Sequence, residues 1–225
     1  MKPAKRFLER AADLSPASDA AKYFLGQTYA KMDLVAEGIQ QLEACAQMNG
    51  PYKLRAMKLL VQYYHRTERY QDCVYLAEKY IEEKKDDPLL FHYLARALSD
   101  LSQFSEADNA FKKTLFFSNE DFIKMTYFYR GLNYYHQEKY SQAIRLYKKA
   151  KTMDPKFSFV YYNLALAYDQ YYADKNLACD YYQKFIVMAD RDGGNPLLVE
   201  YAKTRLSELK EKDFFDEGKG GSSQN

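Results

Sequence analysis

Residues 124–157 read KMTYFYRGLNYYHQEKYSQAIRLYKKAKTMDPKF, and the order of small and large residues in this stretch decides the fold. Tyr127, Gly131 and Tyr134 recur at helical spacing, as do Tyr140, Ala143, Tyr147 and Ala150, and Pro155 closes the run. Two segments of 3.6-residue period, broken by a short polar turn, predict a pair of helices. Small residues at Gly131 and Ala143 let the two helices approach closely, because the distance between helix axes is set by the side chains at the contact. The same frame recurs upstream as Phe91, Leu94, Ala95, Leu98, Phe104, Ala107 and Phe111, and again as Leu25, Gly26, Tyr29, Leu42 and Cys45.

Five full units follow from this frame, at about 19–53, 54–87, 88–123, 124–157 and 158–191. A small residue on each first helix (Gly26, Val61, Ala95, Gly131, Ala165) faces a small residue on each second helix (Gly38, Cys73, Ala107, Ala143, Ala178). One turn on, the second helix carries Leu42, Phe111, Tyr147 and Tyr182, with Ala77 the exception, to pack on the next unit. The fifth unit needs one extra residue in its turn, around Tyr172 to Asn176. A period of about 34 residues marks a repeat architecture. The chain resembles the tetratricopeptide repeat (TPR) family over residues 19 to about 190. That resemblance implies an all-α, right-handed superhelical solenoid of helix-turn-helix units that binds other proteins.

The two ends differ from the array. Residues 1–18 form a half-repeat, with Ala4, Leu8, Ala11 and Pro16 at the offsets of a second helix. It is either the end of an upstream unit or an N-terminal cap, and Phe7 and Leu8 are apolar enough to stack on a second copy of the chain. Residues 192–212 read as a turn, Asp192-Gly193-Gly194-Asn195, then a C-terminal capping helix with Leu198, Val199, Ala202, Leu206 and Leu209 on one side. Pro196 suits the first helical position. Residues 213–225 are expected to be a flexible tail.

Composition excludes several classes. The net charge of +2 from 33 basic and 31 acidic residues argues against a dedicated nucleic-acid binder. No apolar run reaches the roughly 18 residues that a membrane span needs. Lys2, Lys5 and Arg6 lead directly into a helical pattern, with no leader peptide visible. The compartment stays open, with cytoplasm the default and a bacterial cell envelope or periplasm the alternative where a signal segment has been removed. The 23 Tyr and 14 Phe, with no Trp, suit half-buried helix faces and binding grooves.

In TPR proteins the first helices line a concave groove, so the resemblance assigns groove positions here. In the first two units these are Tyr23, Gln27, Lys31, Arg55, Lys58, Gln62, His65 and Arg66; in the third, His92, Arg96 and Asp100. In the last two they are Phe128, Leu132, Tyr135, His136, Phe159, Tyr162, Leu166 and Asp169. The middle of the groove is expected to be basic and exposed, its later part aromatic. An acidic and aromatic or apolar peptide would suit it, because Arg and aromatic residues dominate binding hot spots. The family's chaperone-tail carboxylate clamp does not fit: Lys58 and Gln62 resemble its first pair, but Tyr93, Met125 and Tyr129 stand where its Asn, Lys and Arg belong.

Chemistry of the chain's own is not expected. Cys45, Cys73 and Cys179 have no metal or redox spacing, and the first two fall at small packing positions. His65, His92 and His136 sit in separate units, and no phosphate loop, nucleophile elbow or metal-binding pattern occurs. The sequence therefore predicts a scaffold or adaptor with no cofactor, no metal and no enzymatic activity. The alternatives are a self-associating structural module and a regulatory fragment of a larger protein.

Overall fold

The structure, a computed structural model, describes residues 2–118, 120–171 and 175–220, with side chains given from Arg6 to Glu211 except at 12, 120, 121 and 192. Every regular element among them is an α-helix. Two compact units, residues 1–118 and 119–225, divide the chain.

The first unit holds α1 (Lys2–Leu14), α2 (Asp19–Lys31), α3 (Val35–Ala46), α4 (Lys53–Arg66), α5 (Tyr70–Glu83), α6 (Pro88–Asp100) and α7 (Phe104–Phe117). Helices α2 and α3, α4 and α5, and α6 and α7 form hairpins, and each second helix packs on the first helix of the next hairpin. First helices also touch, α2 with α4 and α4 with α6, while α1 lies against α2 as the second helix of a preceding hairpin would. The second unit holds α8 (Glu120–Tyr135), α9 (Tyr140–Met153), α10 (Ser158–Tyr171), α11 (Asn176–Asp192) and α12 (Pro196–Gly220). Its hairpins are α8–α9 and α10–α11, with α9 against α10 and α11 against α12.

The expected small and large positions build both cores. Val61, Ala95, Ala165, Cys73, Ala107, Ala143 and Ala178 are all fully buried, as are Leu42, Phe111, Tyr147 and Tyr182. The close approach is measurable: a Cβ added at Gly38 would lie 2.9 Å from the Gly26 carbonyl oxygen, and one at Gly131 would lie 2.5 Å from Cε1 of Tyr147. Burial pushes the Cys45 thiol up to about 11 and the Cys73 thiol up to about 12. Both are protonated packing residues, with Cys73 Sγ 3.4 Å from the Val61 carbonyl.

Each described turn inside a hairpin repeats one geometry. Asp33, Glu68, Ser102 and Glu138 adopt positive φ of 59–63°. The next residue's N–H then donates back across the turn: Leu34 to Tyr29, Arg69 to Tyr64, Gln103 to Leu98 and Lys139 to Tyr134, at 2.8–3.0 Å. This closes the helix end by satisfying an orphan carbonyl. The corresponding turn of the fifth unit, where an extra residue is expected, falls at 172–174, outside the described residues.

Two boundaries differ from the sequence-based expectation. Helix α8 starts at Glu120, one turn before Lys124, because no Pro or Gly intervenes to stop it. Helix α12 runs to Gly220 rather than ending at 212, into the stretch expected to be a flexible tail. Between Leu197 and Glu217 the sequence contains neither Gly nor Pro, so nothing terminates the helix earlier. Residues 221–225 lie outside the described residues.

Candidate functional site

The first helices position the residues assigned to the groove, and the two units are considered in turn. On α2, Tyr23 is half-buried, accepts a hydrogen bond from Gln27 Nε2 at 3.0 Å and packs on Tyr52 with ring centroids 5.1 Å apart. On α4, the exposed Arg55 guanidinium lies 5.3 Å from the Tyr52 ring centroid. Lys58 Nζ donates to Asp87 Oδ2 at 2.5 Å, and Asp87 also caps α6 by accepting from the Leu89 N–H. Gln62 Nε2 donates to the Lys58 carbonyl at 3.3 Å. Arg66 pairs with Asp33 at 3.3 Å, and Lys31 is exposed.

His65 and His92 depart from the expected exposed groove: both are buried. His65 Nε2 lies 3.2 Å from Asp100 Oδ2, and the His65 ring sits edge-on to Tyr70 and Tyr93. His92 is covered by Tyr93 and Phe111. Burial, with Arg96 adding to it, pulls His92 down to about 3, so it is neutral at physiological pH. Arg96 lies 5.7 Å from the Tyr93 ring centroid. The expected basic stretch is therefore interleaved with carboxylates from adjoining hairpins, which offset its charge.

In the second unit, Phe128 and Asp169 are likewise buried instead of exposed. Phe128 is closed in by Tyr147 and Phe157. Asp169 accepts two hydrogen bonds from Arg205 of α12, at 2.7 and 3.0 Å, and also meets Lys175. Burial alone would raise the Asp169 carboxyl, but Arg205 and Lys175 hold it below its ordinary value. Leu132 and Leu166 are partly buried against the core. The remaining assigned residues stay accessible: His136 is exposed, Phe159 is exposed, and Tyr135 and Tyr162 are half-buried. Tyr135 lies 5.4 Å from Tyr140; Tyr162 lies 5.1 Å from Phe185 and 6.2 Å from Tyr201.

Tyr201 and Arg205 belong to this face although sequence reasoning assigned α12 only a capping role. The signal was there: Arg205 follows Asp169 by one repeat length, as Asp87 follows Lys58 and Asp154 follows Lys124 by slightly less. Two clefts were also missed, because they lie between helices of neighbouring hairpins. One, about 540 Å³, is lined by Ile81, Phe91, Phe116, Phe117 and charged residues of α5 and α7. The other, about 460 Å³, is lined by residues of α3, α4 and α5 that include Tyr64 and Tyr75. Among the described residues, no group of three or more His, Cys, Asp or Glu is placed to hold a metal ion, and no helix is long and apolar enough to cross a membrane.

Comparison with known proteins bears on the fold. Residues 125–157 match the tetratricopeptide repeat family model. A search of curated proteins found no match. Among solved structures, MamA (residues 41 to the end) from Desulfovibrio magneticus is similar with a TM-score of 0.69 and 15% identity, covering 77% of this chain and 96% of that one. YrrB, described as a TPR protein with an unusual peptide-binding site, is similar with a TM-score of 0.64 and 15% identity, covering 88% and 97%. The Cut9–Hcn1 hetero-tetramer of the APC/C has a chain similar with a TM-score of 0.70 and 16% identity, covering 91% of this chain and 39% of that one. Identities this low speak for the fold alone. The chain thus matches the tetratricopeptide repeat at 125–157 and has the fold of tetratricopeptide-repeat proteins.

Proposed function

We propose that the protein is an interaction module that holds a segment of a partner protein on its first-helix faces, with the tyrosine-rich face of α8, α10 and α12 as the principal anchor. The observation that carries this reading is the run of accessible rings Tyr135, Phe159, Tyr162 and Tyr201, seated on core rings such as Phe185. Rings held in place by packing lose little conformational entropy when a ligand covers them. Tyrosine adds a hydroxyl that stays wet at the edge of an apolar contact. The first-helix face of α2, α4 and α6 contributes Tyr23, Arg55 and Arg96 to a more polar contact. TPR folds mediate protein–protein contacts, and a peptide-binding site in YrrB and the assembly of Cut9 with Hcn1 agree with that class of function.

A photo-crosslinking amino acid at position 159, compared with one at Tyr75 of α5, tests the reading in extract of cells that make the protein. The expected result is a distinct adduct at 159, reduced about 10-fold by the surface change Tyr201→Ala. Identical adducts at both positions, or an adduct indifferent to Tyr201→Ala, would reject it. A second reading, self-stacking through α1, is favoured by Phe7 and Leu14, which are 75% and 76% exposed. It predicts a mass that rises with concentration, and a smaller rise in Phe7→Ser/Leu14→Ser.

A further inference from the structure

The 540 Å³ cleft on the first unit combines an apolar floor with a cationic rim. Phe91 stacks on Phe117 with centroids 5.6 Å apart and planes 11° from parallel, and Phe116 stands edge-on to Phe117 at 5.0 Å. Phe116 is 82% exposed, so a large apolar ring points into solvent beside the cleft. The rim carries Lys85, Lys112 and Lys113 against one acid, Glu82. Lys113 Nζ lies 5.4 Å from the Phe91 ring centroid, and Lys112 pairs with Asp108 at 2.9 Å. Neither Lys85 nor Lys113 has a carboxylate partner among the described residues. A floor of rings with lysines around it selects a ligand that is aromatic at its centre and acidic at its edges.

The chain itself contains one such segment. Asp213-Phe214-Phe215-Asp216-Glu217 places a pair of phenylalanines between carboxylates; the other Phe-Phe pair, Phe116-Phe117, is in the cleft itself. The segment continues α12, a helix rooted in the core of its own unit by Ala202, Leu206 and Leu209. We infer that the cleft between the ends of α5 and α7 receives the acidic, aromatic segment 213–217 of a second copy of this chain. The contact joins unlike surfaces, so it is made reciprocally in a pair or repeated along a ring or chain of copies. It uses neither the first-helix face nor α1, and stands or falls independently of both.

The test is fluorescence anisotropy of a labelled peptide of residues 211–220 titrated with the full chain, alongside sedimentation of the full chain over a concentration series. The peptide is expected to bind, about 10-fold more weakly to Lys85→Glu/Lys113→Glu or Phe116→Ser, and more weakly at high salt. These side chains are exposed, so both variants keep the wild-type helicity. Sedimentation is expected to show association lost in Phe214→Ser/Phe215→Ser and kept in Phe7→Ser/Leu14→Ser. No peptide binding at about 1 mM, where even weak specific contacts register, overturns the inference. So does binding that the cleft variants leave unchanged. A peptide that binds only the Phe214→Ser/Phe215→Ser chain, at constant monomer mass, puts the segment in its own chain's cleft and overturns the contact between copies. A labelled fatty acid that binds where the peptide does not gives the cleft to an acyl ligand, and overturns it too.

Discussion

On the first-helix face of residues 1–118, Lys58 and Arg66 each meet a carboxylate from an adjoining hairpin, Asp87 and Asp33, and the buried His65 ring lies 3.2 Å from Asp100. On that of residues 119–225, Tyr135 and Tyr162 meet rings, Tyr140 and Tyr201, while Lys124 pairs with Asp154 and Asp169 with Arg205. The two faces use the same positions of the same frame. A cation satisfied by a repeat-spaced carboxylate has spent much of its attraction for a ligand. A ring packed edge-on to another still offers its free face, because apolar burial is non-directional. Charge counted along a repeat sequence therefore overstates the charge a partner meets, whereas aromatic count does not.

The comparison breaks most directly at one ion pair from each unit. Arg205→Ala leaves the Asp169 carboxylate, 4% exposed, with Lys175 as its remaining cation. A loss of about 3 kcal/mol is expected, the range for stripping a buried charge of its partner. Lys58→Ala removes a half-exposed lysine from an aspartate that keeps its helix-capping bond, and should cost about 1 kcal/mol. Urea unfolding followed by helicity measures both; equal losses would erase the distinction drawn between the units.

Acid should separate the units next. His92 is held neutral, with its value near 3 against an ordinary 6.5, so the unfolded chain takes up a proton that the folded chain refuses. Its contribution is full above pH 6.5 and falls as pH drops toward 3, by about 1.4 kcal/mol per pH unit, or about 2 kcal/mol by pH 5. Asp169 also has cationic neighbours and the same sign: a carboxyl held below its ordinary 3.8 contributes fully above that value and is lost only as pH falls further. Between pH 6.5 and 5 the decline is therefore assigned to the first unit. His92→Leu should flatten it in pH-dependent unfolding, and an unchanged slope would assign the decline elsewhere.

The smallest expected difference is between two close helix approaches. Gly131→Ala places a Cβ 2.5 Å from the fully buried Tyr147 ring, which has no room to turn, and should cost about 2 kcal/mol. Gly26→Ala meets Leu42 Cγ at 2.7 Å, a slightly longer contact with an equally buried but smaller side chain, and the Gly38 carbonyl oxygen at 3.0 Å, and should cost about 1 kcal/mol. Thermal unfolding of the two variants decides the order; a reversed order would mean that the ring yields more easily than the leucine.

Much of the fold was legible because its determinants are periodic. Gly26 with Gly38, and Gly131 with Ala143, announce close helix pairs, and Cys45 and Cys73 are readable as packing residues from the same offsets. The left-handed turn residues Asp33, Glu68, Ser102 and Glu138 were not legible, since none is glycine and Asp33 alone is of a type enriched in that backbone. The candidate site was read by face alone. Periodicity put His92 and Phe128 on first helices, but not under the rings of Phe111, Tyr147 and Phe157 that cover them. Tyr201 and Arg205 escaped because a capping helix was expected to end an array, not to supply a wall of the site.

The sequence by itself determined the helical pairs, their order and the small residues at which they close, because these depend on side-chain volume at fixed spacing. Only the tertiary structure decided which first-helix residues a partner could touch, which cations are already matched, and that Phe91, Phe116 and Phe117 share one cleft. Those outcomes depend on how far one hairpin overlaps the next, a distance between segments about thirty residues apart in the chain that no local periodicity encodes.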